Sequence, residues 1–569
     1  MDAYSMSVTS AARKTQSRIY QDLRTSRLNS GVKLSLDKLL ARNLSIMDRV
    51  LKYESLDPNR KSHVGVVGAG LAGLRCADLL LGNGFRVTVL EARNRLGGRL
   101  HQERLPNGHL IDIGPNWIHG TKDNPIMDLT TETSTTVGRW DTKSYVFDEA
   151  GELLSMSDGT SYSTIVWDII EHAFEYSNKY CSEIDPAKTL KDFFQEQVPA
   201  RIPETEDDYE KKRHTVLQLS ELWGAFVGSP IEKQSLKFFW LEECIDGGMC
   251  AFAYRGNVSL TSHTRCGAEN LFCAGTYHKI LERIAQPVID GADIKYQTRV
   301  SEIHGKSIGA SDIVRVKTTH GQILEFDEVV LTTPLGWLKK NQQAFSPPLP
   351  ERLSQAINNI GYGCLEKVYI SFTTAFWLNP GADGRTVQGF CQWLAPSYAP
   401  DSNPERWTNE IVELGSLDPS VAHPTLLFYI YGDESQYVTS TVRSLSGKGE
   451  RDKFLLSFFK PYYSRLPSYK EGHPDCQPAG CFSTDWLHDE LAGNGSYCNF
   501  QAGLQEGDKD ILAMRTGIPT EGIWLAGEHT APFVALGTVT GAYWSGEDVA
   551  RRIAQAYGRG KAEKVLDVI

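Results

Sequence analysis

The sequence predicts an α/β fold built around a doubly wound parallel sheet, and three neighbouring features carry this prediction. A short apolar run at residues 64–67 is typical of a buried parallel strand. A glycine-rich turn follows, and residues 71–81 have the apolar spacing of a helix. A second apolar run, at residues 86–90, ends at Glu91. Strand, turn, helix and strand in this order form the βαβ unit of such sheets.

The glycines of the turn are spaced for binding a dinucleotide. Gly68 permits a tight turn, Gly70 lets the backbone approach a pyrophosphate, and Gly73 lets the helix pack closely on the strand. The amino terminus of the helix offers unpaired N–H groups and a partial positive charge to phosphates. Glu91, 23 residues after Gly68, can accept hydrogen bonds from ribose hydroxyls. A glycine-rich turn without a ligand is the alternative, but the complete set of elements favours a dinucleotide site.

The residues after Glu91 indicate which dinucleotide binds. Arg93 follows closely, and a second glycine turn ends at Arg99. This continuation resembles the signature of the FAD-binding amine oxidase superfamily, and the resemblance implies FAD, with both arginines among its contacts. The guanidinium group of Arg99 would bring a permanent charge and a fork of donors to the pyrophosphate.

Length and composition limit the classes of function. A chain of 569 residues is too long for one ordinary core, so two or more domains are expected. Hydrophobic residues make up 41% and charged residues 23%, which is typical of a globular protein. The net charge of −11 and the absence of a basic stripe argue against nucleic acid as a ligand. An acidic chain suits a cationic substrate, although acidity also serves solubility.

The cysteines and the hydropathy of the chain indicate whether a metal site, disulfides or a membrane-spanning segment are expected. The 11 cysteines are scattered without a CxxC pair, and Cys476 and Cys481 lack partners for a zinc pattern, so no metal site is expected. Reduced thiols in the cytoplasm are the expected state. No apolar run reaches the ~18 residues that span a bilayer, and the polar segment 558–569 lacks the carboxy-terminal anchor of monoamine oxidases.

Residues 1–60 are expected to form an amino-terminal extension. Residues 36–51 have helical apolar spacing, which favours a helix packed on the body behind a disordered tail. The composition of the extension also permits a mitochondrial presequence. Both interpretations stay open at this point.

The segment 110–120 resembles the loop that runs along the flavin in polyamine oxidases. His119 is therefore a candidate for the active-site histidine of the spermine and acetylpolyamine oxidases. A histidine bonded to backbone is the alternative, and spacing alone would favour it. The same resemblance implies four cofactor contacts: Gly114, Pro115, Asn116 and Trp117.

Lys367 is the expected active-site lysine. The run 365–372 alternates as a strand, and its apolar positions, such as Val368 and Ile370, place Lys367 on the opposite and possibly solvent-facing side. The segment from Pro347 to Lys367, however, resembles the family segment that carries a lysine holding a water at flavin N5. The resemblance therefore implies a catalytic role that periodicity alone would not assign.

Further downstream, Trp486 and Tyr497 resemble residues that line the flavin face, and Tyr497 takes the place of one wall of the family's aromatic cage. Monoamine oxidases attach their flavin through a cysteine just before that tyrosine. This chain has Ser496 there, which cannot form the thioether, so FAD is expected to bind non-covalently.

The end of the chain resembles a second cofactor clamp. Gly527 and Glu528 form a turn after a strand, where Glu528 would bond a ribityl hydroxyl, and a helix starts near Val539. Thr538 occupies the position of the second cage aromatic, as in histone demethylases and animal spermine oxidases, which implies a wider site. Earlier in the chain, Val300 aligns with the family position whose backbone contacts the adenine of FAD.

These features predict a Rossmann-like FAD-binding domain with an inserted α+β substrate-binding domain. The implied reaction is oxidation of a polyamine, with hydride transfer to flavin N5 and reduction of molecular oxygen to H2O2. A biosynthetic amine oxidase or desaturase is the main rival. A non-catalytic flavoprotein or a histone demethylase is less favoured, and an α-amino acid oxidase should show an arginine near Trp117. The oligomeric state stays open. The predicted boundaries are 1–60 for the extension, 61–130 with 266–336 and 486–569 for the FAD domain, and 131–265 with 337–485 for the substrate domain.

Overall fold

The computed structural model describes residues 62–140, 143–246, 270–307 and 311–559. Residues 62–552 lie in one compact unit, which contains every sheet described below, and residues 553–559 belong to a second unit. The predicted extension 1–60 lies outside the described residues.

A five-stranded parallel sheet is built from three separate parts of the chain. His63–Val67 lies in its centre, and the helix Leu71–Gly82 leads from it to its neighbour Arg86–Leu90, as the βαβ pattern predicts. Across the sheet, the strands follow the order Ile523–Leu525, Glu328–Leu331, His63–Val67, Arg86–Leu90 and Asp293–Lys295.

The strand order creates a binding crevice at the end of the central strand. The central strand His63–Val67 pairs with the next strand of the chain, Arg86–Leu90, on one side and with the much later strand Glu328–Leu331 on the other. The strand order therefore reverses direction beside the glycine turn that follows His63–Val67. Ligands of open α/β sheets bind at such a switch point, outside the carboxyl ends of the strands. The fold therefore places the predicted dinucleotide turn where a ligand is expected.

A second sheet has six strands and is antiparallel apart from one edge pair. Its strands come from residues 145–147 and from 365–483, between parts of the chain that supply the parallel sheet. This distribution supports the proposed discontinuous arrangement, whose domain boundaries stay a prediction. In spatial order the strands are Pro478–Ser483, Leu365–Phe372, Thr425–Tyr431, Asn409–Glu413, Phe390–Trp393 and Tyr145–Phe147.

Both faces of the six-stranded sheet are covered. Val368 and Phe428 pack on one face with Phe458 from the helix Lys448–Tyr463. Tyr369, Leu427 and Val412 belong to a second apolar cluster on the other face. The suggestion from periodicity that Lys367 faces solvent is therefore wrong, because its side of the sheet is also covered and the residue is 5% exposed.

The other described elements surround these sheets, and none of the described helices is both long and apolar enough to cross a bilayer. A four-stranded sheet contains, in spatial order, Ile323–Phe326, Val314–Thr318, Val300–His304 and Phe345–Ser346. Three two-stranded sheets pair Gly361–Tyr362 with Cys498–Asn499, Gln102–Arg104 with Leu110–Asp112, and Trp117–His119 with Asn270–Phe272. The remaining α-helices are Pro125–Glu132, Met156–Tyr180, Leu190–Arg201, Tyr209–Glu221, Gly224–Val227, His278–Gly291, Leu335–Lys340, Glu351–Asn359, Gly432–Ser444, Gly507–Thr516 and Val539–Ala556. Short 3-10 turns are Phe239–Asp246, Gln342–Ala344, Phe376–Leu378, Pro474–Cys476, Trp486–His488, Glu490–Ala492, Pro519–Glu521, Glu528–Thr530 and Phe533–Ala535.

Candidate active site

One cavity of about 490 Å³ extends from the glycine turn to the six-stranded sheet. It brings together residues that lie more than 450 positions apart in the sequence, such as Gly68 and Val539. Of the predicted site residues, Gly73 alone does not line it. Those that do are Gly68, Gly70, Glu91, Arg93, Arg99, Gly114, Pro115, Asn116, Trp117, His119, Val300, Lys367, Trp486, Tyr497, Gly527, Glu528, Thr538 and Val539.

The glycine turn has the geometry that its sequence predicts. Gly68 has a φ of +104°, in the region that favours glycine. A Cβ atom on Gly73 would overlap the carbonyl oxygen of Gly68, so Gly73 allows close packing rather than lining the cavity. No atom lies within 4 Å of the position that a Cβ on Gly70 would take. The space over Gly70 is therefore open to a ligand.

Glu91 holds the glycine turn from the tip of the second strand. Its carboxylate accepts hydrogen bonds from the backbone N–H of Ala69, at 2.7 Å, and of Arg93, at 2.8 Å. Each carboxylate oxygen has a second lone pair for a further donor. The carboxylate can therefore fix the turn and also receive a ribose hydroxyl.

The two predicted arginines differ in their partners. The guanidinium of Arg93 contacts both carboxylate oxygens of Asp489, at 2.9 and 2.8 Å. Arg99 donates to the carbonyl of Ser496 and lies 3.2 Å from the carboxylate of Glu528. Burial alone would raise the pKa of Glu528, but the charges of Arg99 and His529 and the hydrogen bonding of Cys498 together outweigh burial and hold the pKa below its usual range. Arg99, from the second glycine turn, and Glu528, from the predicted second cofactor clamp, thus form one buried ion pair.

Two further features of this end fit a phosphate-bearing dinucleotide. The N-cap residue of the helix Leu71–Gly82 is Gly70, which has no side chain to satisfy the first N–H groups. The hydroxyl of Thr333 is buried in the cavity wall without a hydrogen-bond partner in the described part of the chain. A ligand with oxygen atoms would satisfy both the helix terminus and this hydroxyl. The residues present therefore fit FAD.

Lys367 projects from the strand Leu365–Phe372 into the other end of the cavity. Its ammonium group donates to the carbonyl of Gly114, which lies on the predicted flavin loop. Burial lowers the pKa of Lys367, while the nearby carboxyl groups of Asp112 and Glu366 oppose the shift. The lysine can therefore exchange a proton more easily than an exposed lysine.

The loop that meets Lys367 is held in place by hydrogen bonds from several sides. The indole N–H of Trp486 donates to the carbonyl of Ile113 at 3.0 Å. The indole N–H of Trp117 donates to the hydroxyl of Tyr429 at 3.1 Å, and that hydroxyl donates to the side chain of Asn116 at 3.1 Å. Because the backbone of Arg99 leaves no room for a side chain at Gly114, glycine is required there. These contacts fix the position of the loop relative to the six-stranded sheet.

His119, Tyr497 and Thr538 line the cavity, but each is also held by a neighbour. A ring nitrogen of His119 lies 3.1 Å from the side-chain oxygen of Asn270. The hydroxyl of Tyr497 donates to the carbonyl of Phe226, so its ring is fixed in the wall. Thr538 accepts a hydrogen bond from the N–H of Gly541 at 3.0 Å and so caps the last helix. No motif in the sequence marks this capping role.

Sequence reasoning also missed several cavity residues. Four aromatic side chains complete the wall near Lys367, and no short motif marks them. Glu410 lines the same cavity, and so does Arg139, which is exposed and precedes Trp140 in the chain. The four aromatic residues are Trp140, Trp167, Phe226 and Phe390.

Comparisons with known proteins identify the family of this chain. The family described as flavin containing amine oxidoreductase matches residues 71–554. Polyamine oxidase 2 of Arabidopsis thaliana is 25% identical over 524 residues, covering 88% of this chain and 90% of that protein. Lysine-specific histone demethylase 2 of Homo sapiens is 28% identical over 503 residues, covering 88% of this chain but 54% of the demethylase.

Among solved structures, a putrescine oxidase double mutant superposes with a TM-score of 0.62. The match covers 87% of this chain and 99% of the other, at 18% identity, which shows a shared fold. The predicted fold class is thus confirmed. With the family match over most of its length, the chain belongs to the flavin-containing amine oxidoreductases and is a flavin-dependent amine oxidase with FAD as its cofactor.

Proposed function

We propose that the substrate is a polyamine, such as spermine, spermidine or an acetylated form. The observation that carries this proposal is the aromatic wall beside Lys367, where Tyr429 and Tyr497 line the same cavity as Trp140 and Phe390. Aromatic faces attract ammonium groups and also pack against methylene chains. The polyamine oxidase among the relatives supports the same substrate class.

We assign the two ends of the cavity to the two ends of the cofactor. The glycine turn, Glu91 and the uncapped helix would hold the nucleotide part, and Glu528 would bond the ribityl chain. Bound FAD would supply the redox chemistry: a two-electron acceptor for the hydride of the amine's α-carbon, reoxidised by molecular oxygen with formation of H2O2. The residues Gly114, Trp117 and Lys367 would lie along the flavin.

The protein's own groups then prepare the amine. The amine must lose a proton before oxidation, because its nitrogen lone pair drives the hydride away. Aromatic walls exclude water and so favour the neutral amine by desolvation. Lys367 would hold a water molecule next to the reacting carbon, Tyr497 would orient the nitrogen, and His119 would assist the proton transfer.

FAD is proposed to bind without a covalent bond, because Ser496 stands at the attachment position. The Ser496 hydroxyl accepts a hydrogen bond from the N–H of Leu365 at 3.3 Å, which is a structural use of this side chain. Acid precipitation should therefore release the yellow cofactor into the supernatant. Colour retained in the washed precipitate would contradict the assignment.

The polyamine assignment is tested by anaerobic mixing of the enzyme with a panel of amines. The panel contains spermine, spermidine, acetylspermine, benzylamine and an L-amino acid, and bleaching of the flavin absorbance is recorded. We expect rapid bleaching by at least one polyamine and slow bleaching by benzylamine. If no polyamine reduces the flavin, the polyamine assignment is wrong and a specialised biosynthetic amine becomes the favoured substrate.

Arg139 favours a second candidate, an amine that also carries a carboxylate. Arg139 is a lining residue of the cavity, and a guanidinium group can bind a carboxylate through two parallel hydrogen bonds. An exposed arginine pairs weakly compared with a buried one, so this candidate ranks below the polyamine. Rapid bleaching by the L-amino acid in the same panel would reverse that order.

Eight cysteines of the described ranges are free thiols: Cys76, Cys181, Cys273, Cys364, Cys391, Cys476, Cys481 and Cys498. This state supports the proposed cytoplasmic location, where thiols stay reduced.

A further inference from the structure

Four polar side chains form a row across the six-stranded sheet. Lys367 is paired directly with Tyr429, Tyr429 with Glu410, and Glu410 with Gln392. Side chains of directly opposed residues in a sheet point to the same face. Glu410 therefore points to the face on which Lys367 enters the cavity, and it is itself part of the cavity wall.

This face also carries a mainly apolar row, although the row beyond it, Ser371 and Thr425, is polar. The next row towards the edge of the site is formed by Tyr369, Leu427, Val412 and Phe390, which pair in the same way. These side chains belong to one apolar cluster that also packs against Trp117. A carboxyl group in such a wall requires a physical reason, because burying a charge without a partner is costly.

Glu410 has little compensation from the protein. It is 4% exposed, and it receives one recorded hydrogen bond, from the amide of Gln392 at 2.8 Å. Throughout the described residues, no lysine, arginine or histidine forms an ion pair with it. Burial raises the pKa of the Glu410 carboxyl to about 7, opposed by the Gln392 hydrogen bond. A cation in the cavity would supply the missing partner.

The other acidic residues of the cavity wall are committed elsewhere. Glu91 binds the backbone of the glycine turn, and Glu528 is paired with Arg99. Of the described acidic residues that line the cavity, Glu410 alone belongs to the six-stranded sheet. Strands lie about 4.8 Å apart, so two strand spacings put the backbones of Lys367 and Glu410 about 10 Å apart.

We propose that Glu410 binds a second ammonium group of the substrate and selects diamines and polyamines over monoamines. This inference rests on the proposed function and names the charge pattern that the substrate must carry. While one amine is oxidised beside Lys367, a distal ammonium pairs with the carboxylate of Glu410 across the aromatic wall. Truncating one partner of such a desolvated charge pair lowers affinity by orders of magnitude.

The test compares matched amines in wild-type enzyme and in Glu410→Gln. Putrescine is paired with butylamine, and cadaverine with pentylamine, so each pair differs by one ammonium group. The measured quantity is the ratio of kcat/KM for the diamine to kcat/KM for the monoamine, with the flavin content of each preparation as the check on folding. We expect this ratio to fall by roughly 100-fold in Glu410→Gln, mainly through KM.

Two further variants make the test specific. Glu405→Gln removes an equal charge from an exposed position and should keep the wild-type ratio. Glu410→Asp withdraws the carboxylate by one methylene, so the preferred diamine should become longer, from putrescine towards cadaverine. A merely structural role for Glu410 would not produce a shift that depends on chain length.

The outcomes separate this inference from the proposed function. If wild type oxidises polyamines but Glu410→Gln keeps the wild-type ratio, Glu410 is not the ammonium site, although the polyamine assignment stands. If wild type has the same kcat/KM for the diamine and the monoamine of each pair, Glu410 is likewise not the ammonium site, and the polyamine assignment stands. If no amine of either kind reduces the wild-type flavin, the proposed function itself fails.

Discussion

Lys367 and Tyr429 are direct partners on adjacent antiparallel strands, and the lysine ammonium lies 5.8 Å from the centre of the tyrosine ring. This pair joins the loop 110–120 to the six-stranded sheet, because Lys367 also donates to the carbonyl of Gly114 while the Tyr429 hydroxyl donates to the side chain of Asn116. The position of the lysine is thus set by the register of two strands and by one loop carbonyl.

We expect Lys367→Met to keep FAD bound but to slow flavin reduction or reoxidation by roughly 10- to 100-fold, as for the loss of a group that handles a proton. Methionine has a similar length and needs no hydration, so stability should not fall. Rapid mixing measures both half-reactions, and thermal unfolding measures stability. Lys317→Met, which alters an exposed ion pair, is the control. Wild-type rates in both half-reactions would remove Lys367 from the mechanism.

Glu91→Ala should weaken FAD binding by roughly 100-fold, because hydrogen bonds to a charged group contribute about 1.5–3 kcal/mol each. The change removes the acceptor of the Ala69 and Arg93 backbone N–H groups as well as the proposed ribose contact. Glu91→Gln keeps one oxygen acceptor and should lose less. The dissociation constant is measured by titrating the apoprotein with FAD. Equal affinity of Glu91→Ala and wild type would contradict the assignment.

The sequence predicted more of the cavity residues near the glycine turn than of those near Lys367, and the reason is physical. Gly68, Gly70 and Glu91 lie within one βαβ unit, so local spacing fixes their relative positions. Lys367, Glu410 and their neighbours meet only through the pairing of separate strands, and strand register depends on the whole sheet.

The wrong inference from periodicity at Lys367 has a related cause. Alternation along a strand separates two faces but does not say whether either face meets water. In this protein the second face of Leu365–Phe372 is covered, and Lys367 on that face contacts the loop 110–120, so this charged residue is buried. Alternation therefore could not predict the burial of Lys367, whereas the resemblance to a family segment implied an active-site position for it.

Two glycines of the helix Leu71–Gly82 provide a matched test of the turn. A Cβ on Gly73 would overlap the carbonyl of Gly68, whereas nothing lies within 4 Å of a Cβ on Gly82. Gly73→Ala should therefore destabilise the protein by about 2–4 kcal/mol and lower its FAD content. Gly82→Ala should be neutral or slightly stabilising, since alanine favours helices. Both are measured by chemical denaturation and flavin absorbance, and equal stability of the two variants would show that the predicted close packing is wrong.

Burial of Glu410 predicts how stability depends on pH in the ligand-free enzyme. The pKa of this carboxyl is raised from 4.5 to about 7, so between these values the unfolded chain releases a proton that the folded protein retains. The contribution of Glu410 to stability therefore falls as the pH rises from about 4.5 to about 7, by roughly 3 kcal/mol in total. Glu410→Gln removes this loss, so the variant should gain on wild type between pH 5 and pH 8. The free energy of unfolding is measured for both proteins across that range. A difference that does not change with pH would mean that Glu410 is already ionised at pH 5, with a cationic partner in the folded protein.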